Sequence, residues 1–482
     1  MSNSNAYETV IGLEVHVQLS TNTKIFCGCS TRFGAKPNSQ VCSVCLGLPG
    51  TLPVLNEKAF EYAIKVALAL NCEIQRTVKF DRKNYYYPDL PKNYQISQYD
   101  MPIAYNGSIL IEEEKDRTRT IGITRAHLEE DAGKLLHDEN EPYSYVDLNR
   151  TGTPLLEIVS EPEIRTPEEA YCYLITLKQI VKYLGVSDCN MEEGSLRCDA
   201  NISLREKGCA ALGVKVEIKN LNSFKAVRDS LSFEQNRQSD ALDNDEKIVQ
   251  ETRLWDEHKS LTVSMRQKEE AHDYRYFPEP DLVPFEVSSL KVEEIRKRLP
   301  ELPKAKIERF LEEYKLKAKD AEDLTMEKDI ADFYECTVKY FNNPQIVCNW
   351  IKGEMMRHLK EKGKDITEIN AEPEDLAKII EMVETGYISG LSGKTVLEIY
   401  IKTGRAPLEI VKEKTLEQVS DAGELEGIVL EVINENEKST NDYKNGKLNA
   451  LSFLVGQVMK KSRGKANPKL AGDMIKEVID SR

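Results

Sequence analysis

Val10-Ile11-Gly12-Leu13-Glu14-Val15-His16-Val17-Gln18-Leu19 alternates with a period of two. In an extended chain Ile11, Leu13, Val15, Val17 and Leu19 fall on one side, and Glu14, His16 and Gln18 on the other. The same period returns from Leu196 to Leu204, where Leu196, Cys198, Ala200, Ile202 and Leu204 oppose Arg197, Asp199, Asn201 and Ser203. It returns again at Val214, Val216 and Ile218, with Lys215, Glu217 and Lys219 facing away, and Glu206-Lys207-Gly208 is a turn signal that would join these two runs. Ile121 to Asp131 is less regular but keeps Arg125, His127 and Glu129 in step, with Glu130 beside them. Such segments predict an antiparallel sheet with one face on a core.

The plain reading of the other face is that water covers it. Asp and Asn are depleted in strands, however, so Asp199 and Asn201 in mid-strand are locally poor choices, of the kind expected where a site is built. If the four faces form one surface, carboxylates from separate strands and an imidazole would suit a hard divalent cation. Magnesium takes oxygen ligands, keeps several waters and is usually shared with substrate phosphates. The candidate ligands and catalytic groups are Glu14, His16, Glu129, Glu130, Asp199 and Glu217.

The surrounding chain has 482 residues, enough for two to four domains, with 40% hydrophobic and 30% charged residues. No apolar run reaches the length of a membrane helix, and the polar start (Met1 to Tyr7) has no export signal, which predicts a cytoplasmic protein without a membrane partner. The net charge of −15 argues against coating nucleic acid with the whole surface. From Asn441 to Arg482, nine Lys or Arg stand against four Asp or Glu, a local balance of +5.

Turn signals such as Leu48-Pro49-Gly50, Asn106-Gly107 and Gly152-Thr153-Pro154 lie before residue 290. After it, helical stretches are separated by Leu299-Pro300, Asn343-Pro344, Glu372-Pro373, Gly390 and Ala406-Pro407. The expected architecture is an α+β domain over 1–290, an all-α domain over 291–406 and a small helical tail over 407–482. Within the first, Thr166-Pro167-Glu168-Glu169 starts a helix that Gly185 ends, and a second helix covers about Asn56 to Leu70.

Cys27-Gly28-Cys29 and Cys42-Ser43-Val44-Cys45 are two close pairs flanking a short loop, as in a structural zinc site with four thiolates and no open position. A redox pair is the alternative, but no strand-to-helix context surrounds it. The remaining cysteines (Cys72, Cys172, Cys189, Cys198, Cys209, Cys336 and Cys348) are expected to pack as small hydrophobes. His258, His272 and His358 are expected at the surface. Gly390-Leu391-Ser392-Gly393-Lys394-Thr395 ends like a phosphate loop, yet Ile388 stands where the first glycine is required, so a helix-linking turn is the better reading. Neither a dinucleotide glycine fingerprint nor an amidase serine segment is present.

Longer segments are more specific: the opening run, Lys79-Phe80-Asp81-Arg82-Lys83-Asn84-Tyr85, Asp147 to Val159 (DLNRTGTPLLEIV), Met191 to Asn201 (MEEGSLRCDAN), Asp273 to Asp281 (DYRYFPEPD) and Asp442 to Lys447 (DYKNGK). In colinear order from about Tyr7 onward, they resemble the B subunit of bacterial aspartyl/glutamyl-tRNA amidotransferases. The resemblance implies a β-rich cradle, a helical domain and a helical tail. It also implies a ligase that spends ATP to amidate misacylated Glu-tRNA(Gln), Asp-tRNA(Asn) or both. In that family a glutaminase A subunit releases ammonia from glutamine and a small C subunit completes a heterotrimer. The four cysteines vary among members, consistent with a structural zinc.

Amidating a carboxylate needs a better leaving group than hydroxide, and an acyl phosphate supplies one. Phosphoryl transfer rests on positioning and charge neutralisation, so magnesium and cations carry most of it. Lys79, Arg82, Arg150 and Arg197 are the candidates for phosphate charge. Lys444, Lys447, Lys460, Lys461, Arg463, Lys465 and Lys469 are the candidates for tRNA phosphates. Two rivals are a non-catalytic, zinc-stapled scaffold that presents tRNA, and a magnesium-dependent kinase or ligase acting on a small carboxylate without tRNA.

Overall fold

In the computed structural model the described residues are 6–113, 117–137, 142–267, 274–417, 422–444, 447, 449–462 and 466–481. The chain divides into two compact units, Met1–Leu302 and Pro303–Arg482. Among the described residues no helix is long and apolar enough to cross a membrane.

The first unit is organised by a nine-stranded sheet. Its strands in chain order are β1 (Tyr7–Gln18), β2 (Glu73–Ile74), β3 (Ala104–Glu113), β4 (Arg117–Glu130), β5 (Pro154–Ser160), β6 (Leu196–Glu206), β7 (Val216–Lys219), β8 (Glu251–Asp256) and β9 (Leu261–Gln267). Across the sheet they run β9-β8-β7-β6-β1-β5-β4-β3-β2. All neighbours are antiparallel except β7 and β8. The four sequence-predicted strands are therefore β1, β4, β6 and β7, and β5 inserts between β1 and β4.

The apolar phase of β1 and β6 is buried: Ile11, Leu13, Val15 and Val17, with Leu196, Cys198, Ala200 and Ile202, are all at most 3% exposed. Three helices, α1 (Glu57–Ala69), α2 (Pro167–Tyr183) and α3 (Phe224–Asp243), share this core. Each begins where its cap satisfies free amides. Asn56 accepts from Lys58 and Ala59 amides, Thr166 from Glu169, and Ser223 from Ala226. A fourth helix, α4 (Ser289–Lys297), sends Ile295 into the same core, so this unit extends past residue 290 to Leu302. A small three-stranded sheet (Asp81–Asn84, Tyr94–Ser97 and Phe277–Pro278) completes it.

The second unit is helical, and prolines occupy the first position of Pro303–Glu313, Pro344–Trp350, Pro373–Glu384, Pro407–Glu413 and Pro468–Asp480, where the missing N–H costs nothing. Among the described residues it holds two apolar clusters, one from Phe310 to Val411 and one from Leu425 to Ile479. Ile410 and Val411 of Pro407–Glu413 belong to the former, so the tail's own cluster begins beyond that helix. The phosphate-loop-like stretch is the start of the Gly390–Thr403 helix, capped by Ser389, rather than a turn between helices. There Lys394 pairs with Glu354. His358 is 5% exposed, correcting its expected surface position, because its ring lies on the inner side of Met356–Lys362. His258 is exposed, and His272 lies outside the described residues. Cys209 is also exposed, unlike the buried Cys72, Cys189, Cys198 and Cys348.

One glycine tests how tightly the sheet is fitted. A Cβ on Gly107 would lie 2.3 Å from Cys72 Sγ and 2.9 Å from the Leu70 carbonyl oxygen. Gly107→Ala should therefore destabilise the first unit by about 1–3 kcal/mol. Gly427, where no described atom lies within 4 Å, serves as the control: Gly427→Ala should not lower stability. Calorimetric Tm values for the two variants check this.

Candidate active site and cysteine centre

Register places the polar phase of five adjacent strands in one row. In β1, Glu14 lies opposite Asp199 and His16 opposite Arg197 of β6. On the other side His16 faces Glu157 of β5, which in turn faces His127 of β4. Asn201 of β6 lies opposite Glu217 of β7. Directly opposed residues in an antiparallel pair project from the same face, so Glu217, Asp199, Arg197, Glu14, His16, Glu157, His127 and Glu129 share one surface.

At its centre His16, Glu129 and Glu157 each offer a ligand atom within 4.8 Å of the others. His16 Nε2 is 3.3 Å from Glu157 and 3.5 Å from Glu129, and His127 Nε2 is 3.4 Å and 3.8 Å from the same two carboxylates. Glu129 is 3% exposed, Glu157 8% and His127 4%. Burial acts to lower the His16 pKa, but the hydrogen bond to Glu157 and the charges of Glu129 and Glu157 outweigh it and raise it. Burial acts to raise Glu129 and Glu157, and the imidazoles more than compensate, holding both below the ordinary carboxylate range. A nitrogen and two anionic oxygens converging in this way fit a divalent cation that keeps water in its remaining positions. Among the described residues, His127 Nδ1 is buried without a hydrogen-bond partner.

Beside this cluster, Asn201 donates to Glu14 at 3.0 Å. Lys219 Nζ bridges Asp199 at 2.9 Å and Glu217 at 3.3 Å, and Thr252 donates to Glu217 at 2.6 Å. Here too burial opposes charge on Lys219, and the two acids override it and raise its pKa.

Glu130 does not join the row. Consecutive strand residues point to opposite faces, and Glu130 accepts from the Ile96 amide at 2.8 Å and pairs with Lys92. Lys79 is held by Asp81 at 3.0 Å and Asp100 at 2.6 Å. Arg82 is bidentate on Glu279, with both contacts at 2.7 Å. Both charges are thus engaged within and around the small sheet. Arg197 and Arg150 share Asp131, at 3.0 Å and 3.5 Å, and line a cleft of about 580 Å³. Since Arg197 is the register partner of His16, this cleft adjoins the row. Of the tail cations, Lys444 and Lys460 are exposed, Lys447 pairs with Asp442, and Lys461 with Glu431 and Glu435. Arg463 and Lys465 lie outside the described residues, as does the side chain of Lys469.

Glu157, His127 and Asp131 are site residues missing from the sequence-derived candidates, although His127 shares the strand phase of Glu129. β5 reads Pro-Leu-Leu-Glu-Ile-Val-Ser, without alternation, and the available signal is one carboxylate in an otherwise apolar strand.

Cys27, Cys29, Cys42 and Cys45 bring their sulfurs within 4.8 Å of one another, with Cys42 and Cys45 3.9 Å apart. Tetrahedral zinc with bonds of about 2.3 Å has sulfur–sulfur edges of about 3.8 Å, so the donor set fits a metal. The Cys45 thiol is lowered to about 4, first by its hydrogen bond with Cys27 and further by the Cys42 amide and the Lys24 charge, against burial. The loop is fastened to residues 146–152: Asn38 bonds to Val146, Asp147 and Leu148, Gln40 and Lys36 bond to Asn149, and Ile25 bonds to Gly152.

Residues 9–293 match the family model described as the GatB/GatE catalytic domain, and residues 332–479 match the GatB domain. The B subunit of the aspartyl/glutamyl-tRNA(Asn/Gln) amidotransferase of Carboxydothermus hydrogenoformans is 58% identical over 476 residues, 98% of this chain and 99% of that protein. Its counterpart in Caldanaerobacter subterraneus subsp. tengcongensis is 57% identical over 473 residues, and that of Brevibacillus brevis 52% over 475, each covering 98% of this chain and 99% of the relative. The chain therefore belongs to the GatB/GatE family, that of the aspartyl/glutamyl-tRNA(Asn/Gln) amidotransferase B subunits.

Proposed function

We propose that this chain carries the ATP-dependent step that converts Glu-tRNA(Gln), Asp-tRNA(Asn) or both to the amidated forms. The observation that supports this most is the convergence of His16, Glu129 and Glu157 on one sheet face beside an arginine-lined cleft. In this reading an oxygen of the misplaced side-chain carboxylate attacks the γ-phosphorus of ATP, and the bond to ADP breaks. Ammonia then adds to the acyl phosphate, and phosphate leaves with the amide formed. A bound magnesium ion would neutralise phosphate charge during the transfer.

His16, Glu129 and Glu157 would hold that ion, and Glu14, Asp199 and Glu217 form a second acidic group on the same face. Arg150 and Arg197 are the cations best placed for phosphate, since their shared carboxylate fixes them at the cleft. Lys79 and Arg82, paired to acids, would hold the small sheet together instead. The cysteine centre would hold zinc as a staple. Ammonia would come from a glutaminase A subunit, with a small C subunit in a cytoplasmic heterotrimer, because ammonia released to water becomes ammonium and loses its nucleophilic lone pair. The exposed tail lysines would meet tRNA phosphates.

His16→Ala and Glu157→Gln should each lower ATP-dependent amidation in the assembled enzyme by about 100-fold or more while the partner's glutaminase rate persists. Full amidation by either variant would overturn the catalytic assignment and favour a presenting scaffold. The second unit refines where the tail is to be cut: since Ile410 and Val411 belong to the neighbouring cluster, truncation belongs after Glu417. That truncation should raise KM for tRNA by about tenfold or more and leave KM for ATP within about twofold. Equal effects on both constants would remove the tail from recognition.

A further inference from the structure

Lys24 is fully buried, at 0% exposure, which is unusual for a residue that carries a charge at neutral pH. Its Nζ donates to the Gln40 carbonyl at 2.7 Å and the Leu148 carbonyl at 3.4 Å, and stands 3.7 Å from Cys45 Sγ. Among the described residues no carboxylate lies within ion-pair distance of it. A buried ammonium left with carbonyl dipoles alone is strongly disfavoured. Four thiolates around one divalent ion carry a net charge of about −2, which is equally costly to bury without a cation nearby. Each group therefore needs the other.

We infer that Lys24 is a positioning residue of the cysteine centre: its buried ammonium is the countercharge of the metal-bound thiolates and ties them to the segment that carries Arg150. The tie is direct. Gln40 lies inside the cysteine loop, and Leu148 is two residues from Arg150. Gly152, at φ +80°, brings its backbone against the lysine stem, where a Cβ would lie 3.6 Å from Lys24 Cδ and 3.7 Å from Cys45 Cβ. Gln40, Asn149 and Arg150 all line the 580 Å³ cleft. The metal, through Lys24, thus holds one wall of that cleft. The inference rests on the reading of the four cysteines as a metal site.

The test uses the full chain loaded with zinc, and compares Lys24→Met, which keeps the volume and removes the charge. Zinc transfer to a chromogenic chelator should be about tenfold faster in K24M, as for other groups that support metal ligands from behind. The drop in Tm caused by K24M should be larger in the zinc-loaded chain than in the zinc-stripped one, whereas a purely packing role would lower both equally. Unchanged zinc transfer, or equal drops, would overturn the role of Lys24. Wild-type chain that binds no zinc would overturn the metal reading and this one with it. Should K24M fail to fold, acetic anhydride labelling of the unmodified chain decides. Lys24 should be protected when zinc is bound and labelled about tenfold more on stripping, with buried Lys306, paired to Asp332 and Glu335, as the internal control. No rise in labelling at Lys24 would overturn the proposal.

Discussion

Two carboxylates, Glu129 and Glu157, are buried side by side, and each is shared by the same two imidazoles. Like charges at this spacing in a low-dielectric environment repel strongly unless cations or protons separate them. The fold meets that constraint with a rigid sheet. His16 and His127 come from strands on either side of β5, and their positions are fixed by register with Glu157. A slip of one residue in β1 would turn His16 into the core and put Val15 or Val17 on the polar face. The apolar phase of the same strand, locked beneath α1, α2 and α3, is what prevents that slip. Core packing and site geometry are therefore one constraint expressed on two faces.

The cysteine loop obeys the opposite logic. Between Cys27 and Cys45 it has no helix or strand, and one antiparallel bridge, Ser30 to Thr23, is its sole ladder pairing. Its order comes from side chains, Asn38, Gln40 and Asn149 chief among them, that satisfy backbone groups across to 146–152. Such a loop buries too little apolar surface to fix its own shape. Four convergent sulfurs and a buried lysine supply the constraint that packing does not. The cleft is thus bounded on one side by strand register and on the other by a loop that side chains and converging sulfurs hold.

How much of this is legible in the sequence follows from that contrast. Period-two alternation exposes the faces of β1, β6 and β7, because half-buried strands must sort their residues. It also pairs Glu14 with His16 and Asp199 with Asn201. It does not show that β5 stands between β1 and β4, since a strand buried on nearly its whole length carries no alternation, and so Glu157 goes unmarked. Glu130 groups with Glu129 only when adjacency in sequence is allowed to outweigh strand parity. Lys79 and Arg82 look free for phosphate because Asp100 and Glu279 lie outside the motif, and spacing alone does not show that Asp81, within it, turns to Lys79. His358 reads as a surface residue from its basic neighbours, although helical phase decides burial and turns its ring inward.

Charge shows the same limit in the tail. Nine basic residues against four acidic ones give the last 42 residues a positive count on an acidic chain. The count does not describe the surface, because Lys461 is drawn to Glu431 and Glu435 of another helix and Lys447 to Asp442. These pairs are exposed, and exposed pairs contribute little to stability. A polyanion with closely spaced phosphates offers each lysine a stronger partner and releases counterions as it does so.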